Sequence, residues 1–313
     1  MADKLILKTW FEMAPHLEAL VDGRVTSERI VLDRVNYPFP KAVRALVRDE
    51  EFDVSEVPLT TLALARAYRD TYIGLPVVVS RDFHQRSIVV RKDAPFHGPA
   101  DLAGKRIGVR AYSVTTGVWV RGILQEEFGV DPAKVTWVTT EDAHVSEYSE
   151  PSNVERAPAG ADLLDLLLKG EIDAAIGLRN HDFSKVRYLF DDVDKATAEW
   201  HRKTGVYPVN HIMSVRCTLA AAHPWLSAEI FRMFEEAKQL AMQAGWQAQP
   251  TFIDGTARET LLAMVGPDLM PNGLIPNRPA FSMLLEMAHH QGLTPRLFGI
   301  DDVIATPGSP ASN

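Results

Sequence analysis

Apolar positions along the first third of the chain alternate between a two-residue period and a three-to-four-residue period. Leu5–Leu7, Ile30–Leu32, Asp53–Val57 and Tyr72–Val79 read as strands. Pro40–Arg48, where Val43, Leu46 and Val47 share one face, and Leu59–Tyr68 read as helices. A second alternation begins near residue 99. One helical turn at Pro99–Ala103 is followed by a buried strand Arg106–Val109 and a helix Thr115–Phe128, which Gly129 stops. Val135–Val138 and Ile172–Gly177 read as further strands, with a Leu-rich helix Ala161–Lys169 between them that ends at Gly170. The remainder is mainly helical, at Trp225–Met242, Thr256–Met264 and Arg278–His290. Strands separated by helices predict a mostly parallel sheet in each unit.

Two such units with a helical last third predict an α/β fold of two lobes joined by a hinge. Residues 1–88 form the first part of lobe 1, 89–211 lobe 2, and 212–313 the helical return to lobe 1. Ser87–Arg91 and Met213–Arg216 are the expected crossover strands. A ligand belongs between the lobes, where strands end and helices begin. The polar stretch Thr139–Gly160 reads as a long surface loop of the kind that serves as a lid.

Composition narrows the classes of function. The chain has 313 residues, 46% hydrophobic and 24% charged, enough for a real core. A net charge of −8 without a basic block argues against nucleic acid as a partner. An acidic ligand stays open, because a few cations focused in a cleft suffice. The single cysteine, Cys217, forms no internal disulfide and reads as structural. No signal-peptide core and no stretch of roughly 20 apolar residues is present, so a cytoplasmic protein that does not enter a membrane is expected. No metal-ligand spacing, Walker sequence or G-x-S-x-G elbow occurs, and no metal or organic cofactor is expected.

Candidate chemistry gathers at strand ends. Arg106–Val109 runs into Ala111-Tyr-Ser-Val-Thr-Thr-Gly117, a hydroxyl-rich turn at a helix start. Free N–H groups there attract anions, and Ser113, Thr115 and Thr116 add donors, although an ordinary N-cap uses the same residues. Arg81 and Arg179 each follow a core strand and are candidate carboxylate partners; a solvated surface charge is the plain alternative. His211 precedes a β-rich run and suits proton transfer or simple packing. Glu56 ends a short strand and can face the cleft or complement the next helix.

Several ordered motifs carry a resemblance. They are Asp22-Gly-Arg-Val25, Glu51-Phe-Asp-Val-Ser-Glu56, Asp101-Leu-Ala-Gly-Lys-Arg-Ile-Gly-Val109, Val118-Trp-Val-Arg-Gly-Ile-Leu124, Gly170-Glu-Ile-Asp-Ala-Ala-Ile176, Thr204-Gly-Val-Tyr-Pro-Val-Asn-His211 and His223-Pro-Trp-Leu226. Together, from about residue 20 to 298, they resemble the 4,5-dihydroxyphthalate decarboxylase family. The resemblance implies a two-lobed fold like that of type II periplasmic binding proteins, put to use as a decarboxylase of a hydroxylated aromatic dicarboxylate, with ring protonation followed by loss of CO2. The matched positions are Ser55, Glu56, Arg81, Tyr112, Arg179 and His211. His211 and Glu56 are the expected catalytic pair, and the others, with Ser113, Thr115 and Thr116, the expected substrate contacts. Phe83-His-Gln-Arg-Ser87 and Thr139–Gly160 depart from the family pattern. A non-catalytic solute-binding protein for an aromatic or dicarboxylic acid is the alternative function, and a lyase for a different aromatic acid a second.

Overall fold

The computed structural model describes residues 3–178, 182–246 and 255–305. Among these, eleven strands follow one another: β1 (Leu5–Trp10), β2 (Ile30–Arg34), β3 (Val54–Pro58), β4 (Tyr72–Arg81), β5 (Ile88–Arg91), β6 (Arg106–Val109), β7 (Thr136–Thr139), β8 (Val154–Arg156), β9 (Ala174–Ile176), β10 (Val186–Tyr188) and β11 (Val209–Arg216). They form two sheets, ordered β2-β1-β3-β11-β4 and β10-β5-β9-β6-β7-β8.

The two sheets share one plan. In each, a parallel run, β2-β1-β3 in the first and β9-β6-β7-β8 in the second, is followed by one antiparallel strand contributed from another part of the chain: β11 lies between β3 and β4, and β5 between β9 and β10. The chain therefore crosses from the first sheet to the second between β4 and β5, and returns at β11. That return begins at Val209, earlier than the Met213 start read from the sequence, so His211 sits within the strand rather than ahead of it.

Local chemistry sets the helix limits. Thr115–Phe128 ends at Gly129 and Leu163–Lys169 at Gly170, both left-handed at φ 66° and 75°. Such a cap is easiest for glycine, which has no Cβ to clash. Asp162 accepts N–H bonds from Leu164 and Asp165 and so starts the second of these helices. The helix Val193–Thr204 is capped in the same manner, by Asp192 at one end and Gly205 at the other. Thr139–Gly160, read as one loop, contains the edge strand β8.

The apolar core joins the lobes. One cluster includes Trp10, Leu46 and Phe52 from the first lobe, Ile107, Trp119 and Trp137 from the second, and Phe281 from the helix Leu274–His290. That helix packs against both Leu59–Arg66 and Thr115–Phe128. The approach is close at Gly122, where an added Cβ would lie 2.3 Å from Met287 Sδ. Arg121, fully buried, fixes the same junction through Gln291 Oε1 at 2.6 Å and the Tyr112 carbonyl at 2.6 Å. None of the described helices is long and apolar enough to cross a membrane.

Candidate active site

The antiparallel pairing of β11 with β3 sets Met213 opposite Glu56 and His211 opposite Pro58. This register brings together two side chains 155 positions apart: His211 Nδ1 lies 2.7 Å from Glu56 Oε1. The second carboxylate oxygen, Oε2, accepts the Glu12 N–H at 2.9 Å, so the loop after β1 folds over Glu56 and both oxygens are engaged. Glu56 is buried, while the His211 side chain keeps 20% exposure. The His211 ring stacks on Phe39 at 5.1 Å and 17°. Phe39 is held by the helix start Pro38-Phe39-Pro40, since proline favours the first helical turn. Among the described residues Nε2 of His211 has no protein partner. A carboxylate on Nδ1 fixes the ring orientation and tautomer and leaves Nε2 to take or give a proton.

A second histidine joins this region, and sequence reasoning missed it. His16, in the turn Pro15–Leu17, is buried, stacks on Trp246 at 4.6 Å and, among the described residues, has no hydrogen-bond partner on either nitrogen. Burial pushes its pKa down to about 4; the nearby Glu56 carboxylate opposes that shift and the Lys238 ammonium adds to it. The available signal was positional: His16 follows β1 as Ser113 follows β6.

Opposite, two helix starts abut. Leu59–Arg66 and Thr115–Phe128 begin after Pro58 and Val114, neither with a side-chain cap. Thr60 Oγ1 donates to the Ser113 carbonyl at 2.9 Å and meets Thr115 Oγ1 at 2.8 Å. Two positive dipole ends facing each other favour a negative group nearby. The Ser113 hydroxyl is buried and has no partner among the described residues. Thr115 is spent on the contact between lobes, and Thr116 is half-buried beside it.

Three further sequence candidates are held by internal partners. The Arg81 guanidinium is buried, bonds Asn277 Oδ1 at 3.0 Å and the Tyr207 carbonyl, and packs 4.0 Å from the Tyr207 ring. Desolvation lowers its pKa to about 10. Tyr112 donates to the Gln291 carbonyl at 3.2 Å, against the last-third helix. The Ser55 hydroxyl is buried in the sheet and donates to the Glu56 carbonyl at 3.0 Å. All three have internal partners; Ser55 neighbours Glu56 on β3, and Arg81 follows Ser80, which pairs with His211 across the sheet. Arg179 lies outside the described residues.

The loop 140–148 binds the first lobe through arginines that the sequence left unassigned. Arg48 donates to the carbonyls of His144 and Ala143, each at 2.8 Å, and Arg44 reaches Glu141 at 3.2 Å. His144 is buried, with Nδ1 3.0 Å from Thr61 Oγ1. Burial, then the charges of Arg110, Arg44 and Arg48, drive its pKa down to about 3. Among the described residues no group of three or more His, Cys, Asp or Glu side chains is placed to hold a metal ion.

Comparison with known proteins gives this geometry a context. Residues 55–207 match the family described as NMT1/THI5 like. The chain is 34% identical over 273 residues to a 4,5-dihydroxyphthalate decarboxylase of Comamonas testosteroni, covering 80% of this chain and 81% of that one. A protein of the same name from Pseudomonas putida is 34% identical over 200 residues, 59% of this chain and 77% of that one. Among solved structures, the alkanesulfonate-binding protein SsuA from Xanthomonas axonopodis pv. citri bound to MOPS superposes with a TM-score of 0.55. It is 16% identical and covers 98% of this chain and 100% of that one. The periplasmic aliphatic sulphonate binding protein SsuA of Escherichia coli gives 0.56 at 14% identity, with coverage of 97% and 93%. These two likenesses fix the fold as the two-lobed type II periplasmic-binding-protein architecture.

Proposed function

Since the chain belongs to the 4,5-dihydroxyphthalate decarboxylase family, we propose that it is a carboxy-lyase for a hydroxylated aromatic dicarboxylate such as 4,5-dihydroxyphthalate. The Glu56–His211 pair carries this reading: a buried carboxylate holds one imidazole nitrogen and leaves the other unengaged. A binding protein needs donors for its ligand but has no use for an oriented proton-transfer pair.

Direct loss of CO2 from an arene would leave an aryl anion. A hydroxyl para to the leaving carboxylate opens a lower route. The phenol oxygen pushes electrons into the ring, and the carbon bearing the carboxylate takes a proton from His211 Nε2. The C–C bond to the carboxylate then breaks, its electron pair restores aromaticity, and CO2 departs. The sum is one proton taken up and one CO2 released, with 3,4-dihydroxybenzoate as product. Glu56 stabilises the imidazolium that must exist before the transfer, and Phe39 holds the ring plane. Positioned acid catalysis of this kind is worth about 10²–10⁴-fold. The facing helix starts at Leu59 and Thr115 and the unpartnered Ser113 hydroxyl suit the carboxylate that is retained, and Arg179 remains its cationic partner by sequence position. Arg81 and Tyr112, tied to Asn277 and Gln291, support the lobe junction in this scheme.

The test is incubation of the purified protein with 4,5-dihydroxyphthalate and a panel of hydroxylated phthalates and benzoates, followed for CO2 and phenolic product. Release of CO2 with formation of 3,4-dihydroxybenzoate is expected. Saturable binding of the dicarboxylate without any CO2 would replace the enzyme with a solute-binding protein.

A further inference from the structure

In the proposed reaction the phenol oxygen para to the departing carboxylate must give up its proton as the ring takes one from His211. Neither member of the Glu56–His211 pair is free for that task, because His211 is the donor and both Glu56 oxygens are engaged. A second group has to face that oxygen, and its identity rests on the decarboxylase reading of the site.

His144 is placed for it. It lies on the loop after β7, in the second lobe, and reaches across the lobe junction: Nδ1 stands 3.0 Å from Thr61 Oγ1, in the first turn of the helix Leu59–Arg66. That helix follows Pro58, the residue opposite His211 in the sheet. Arg48 holds the loop backbone through the Ala143 and His144 carbonyls, and Thr61 holds the ring. Burial, then the charges of Arg110, Arg44, Arg48 and His211, hold the His144 pKa down to about 3, so the ring is neutral and one nitrogen carries a lone pair. His144 as a whole is buried. Among the described residues its Nε2 has no partner, yet unlike both nitrogens of His16 that atom is not sealed from its surroundings.

We propose that His144 Nε2 receives the substrate's phenolic hydroxyl para to the departing carboxylate, and so makes His144 a second catalytic residue that also reads the substrate. Nδ1–H donates to Thr61 Oγ1, which leaves the lone pair on Nε2. A lone pair accepts an O–H and repels a carboxylate, which has acceptors only. The O–H proton passes to Nε2, the O–H electron pair moves into the ring, and the ring carbon bonds the proton from His211. When CO2 leaves, its C–C pair restores the arene and the oxygen recovers its proton from His144. His144 ends as it began, and the sum stays one proton taken up and one CO2 released. A weak base is enough, because the hydroxyl becomes strongly acidic once the ring accepts a proton, and a weak base returns the proton readily.

The retained carboxylate stands meta to the hydroxyl in question, so 3-hydroxybenzoate carries the pair that the site reads. In 4-hydroxybenzoate the hydroxyl falls one position away, and benzoate has none. Titration calorimetry of the full chain with these three probes should show 3-hydroxybenzoate binding about tenfold tighter than benzoate, about 1.4 kcal/mol, and 4-hydroxybenzoate gaining about threefold at most. His144→Phe should bring 3-hydroxybenzoate down to the benzoate level and leave benzoate itself unchanged. Thr61→Val, which removes the acceptor that fixes the tautomer, should do the same and serves if the first variant does not fold. The proposal is overturned if wild type shows no saturable binding of 3-hydroxybenzoate at millimolar concentration, or if either other probe binds as tightly. It is equally overturned if the folded variants keep the preference, or if they lose benzoate and 3-hydroxybenzoate alike, which would make His144 structural. The preference is read without turnover, so a protein that releases no CO2 would sink the lyase reading while this contact stands or falls on its own result.

Discussion

Replacing Glu56 with glutamine tests the proposed chemistry with little change of shape. In the native protein two donors converge on the carboxylate: the Glu12 N–H at 2.9 Å and His211 Nδ1 at 2.7 Å. A glutamine amide has one oxygen and one NH2, so it can accept from only one of them. If the oxygen faces His211, the NH2 meets the Glu12 N–H, donor against donor, in a buried place. The favoured orientation puts the oxygen on Glu12 and the NH2 on Nδ1. His211 must then carry its hydrogen on Nε2 and cannot become imidazolium without turning Nδ1–H against a donor. Two losses combine. A charge-assisted hydrogen bond is worth roughly 1.5–3 kcal/mol, or about 10- to 100-fold in rate. Disabling a positioned acid altogether reaches about 10²–10⁴-fold. Glu56→Gln should therefore lower kcat by about 10²-fold or more. KM should change little, because the pair acts on the proton in flight rather than on the bound carboxylates. Steady-state decarboxylation of 4,5-dihydroxyphthalate, with CO2 and product measured separately, gives both constants, and circular dichroism checks the fold. A variant that keeps kcat within about threefold of wild type while folded would sink the proton-transfer role.

Three further outcomes follow from contacts already described. Thr60→Val strands the Thr115 hydroxyl and the Ser113 carbonyl and should cost about 1–2 kcal/mol, while Thr115→Val leaves Thr60 its bond to Ser113 and should cost about 1 kcal/mol; the double variant should lose less than the sum, with a coupling of about 1 kcal/mol in chemical denaturation, and strict additivity would mean that the 2.8 Å contact is energetically silent. Buried His16, His84 and His144 have pKa values pushed down to about 4, about 4 and about 3. Between the unfolded value near 6.5 and those folded values, the unfolded chain binds protons that the folded chain refuses. Stability is thus full above about pH 6.5 and falls with acid, by roughly 1 kcal/mol per pH unit for each histidine. A melting temperature flat from pH 7 to 5 would contradict this. Arg48→Ala removes two bonds from the first lobe to the carbonyls of Ala143 and His144. Because Arg48 is exposed the loss is small, about threefold in KM with kcat unchanged, and a fall in kcat alone would argue against a role in lobe contact.

The legible parts of the fold were those with a local cause. Thr115–Phe128 shows helical spacing and a glycine stop, and the strand Arg106–Val109 is a short apolar run bounded by breakers; both appear in the structure with those limits. Val193–Thr204 had signals of the same kind, an aspartate cap and a glycine end. It went unread because only Val193, Thr197 and Trp200 are buried, a stripe too thin to stand out among charges. β8 was hidden because its three residues are only half-buried or exposed at a sheet edge. Site geometry is a different matter. Glu56 and His211 were each marked by position at a strand end, but their contact depends on the β3–β11 register, which no local pattern encodes. Arg81 shows the same limit: an arginine after a core strand looks free, yet the distant Asn277 and the Tyr207 carbonyl each take one of its donors.

The placement of these groups suggests how a binding-protein fold can host a reaction. Glu56, His211 and the Glu12 N–H all belong to the first lobe, and the first two sit on strands bonded directly to each other. Their geometry is set by sheet pairing and does not wait on lobe closure. The abutting helix starts are different, since Leu59 belongs to one lobe and Thr115 to the other. An anion site between them exists only when the lobes meet. Under the proposed function, the contact between the lobes would hold the dicarboxylate, and the first lobe would set how the proton moves.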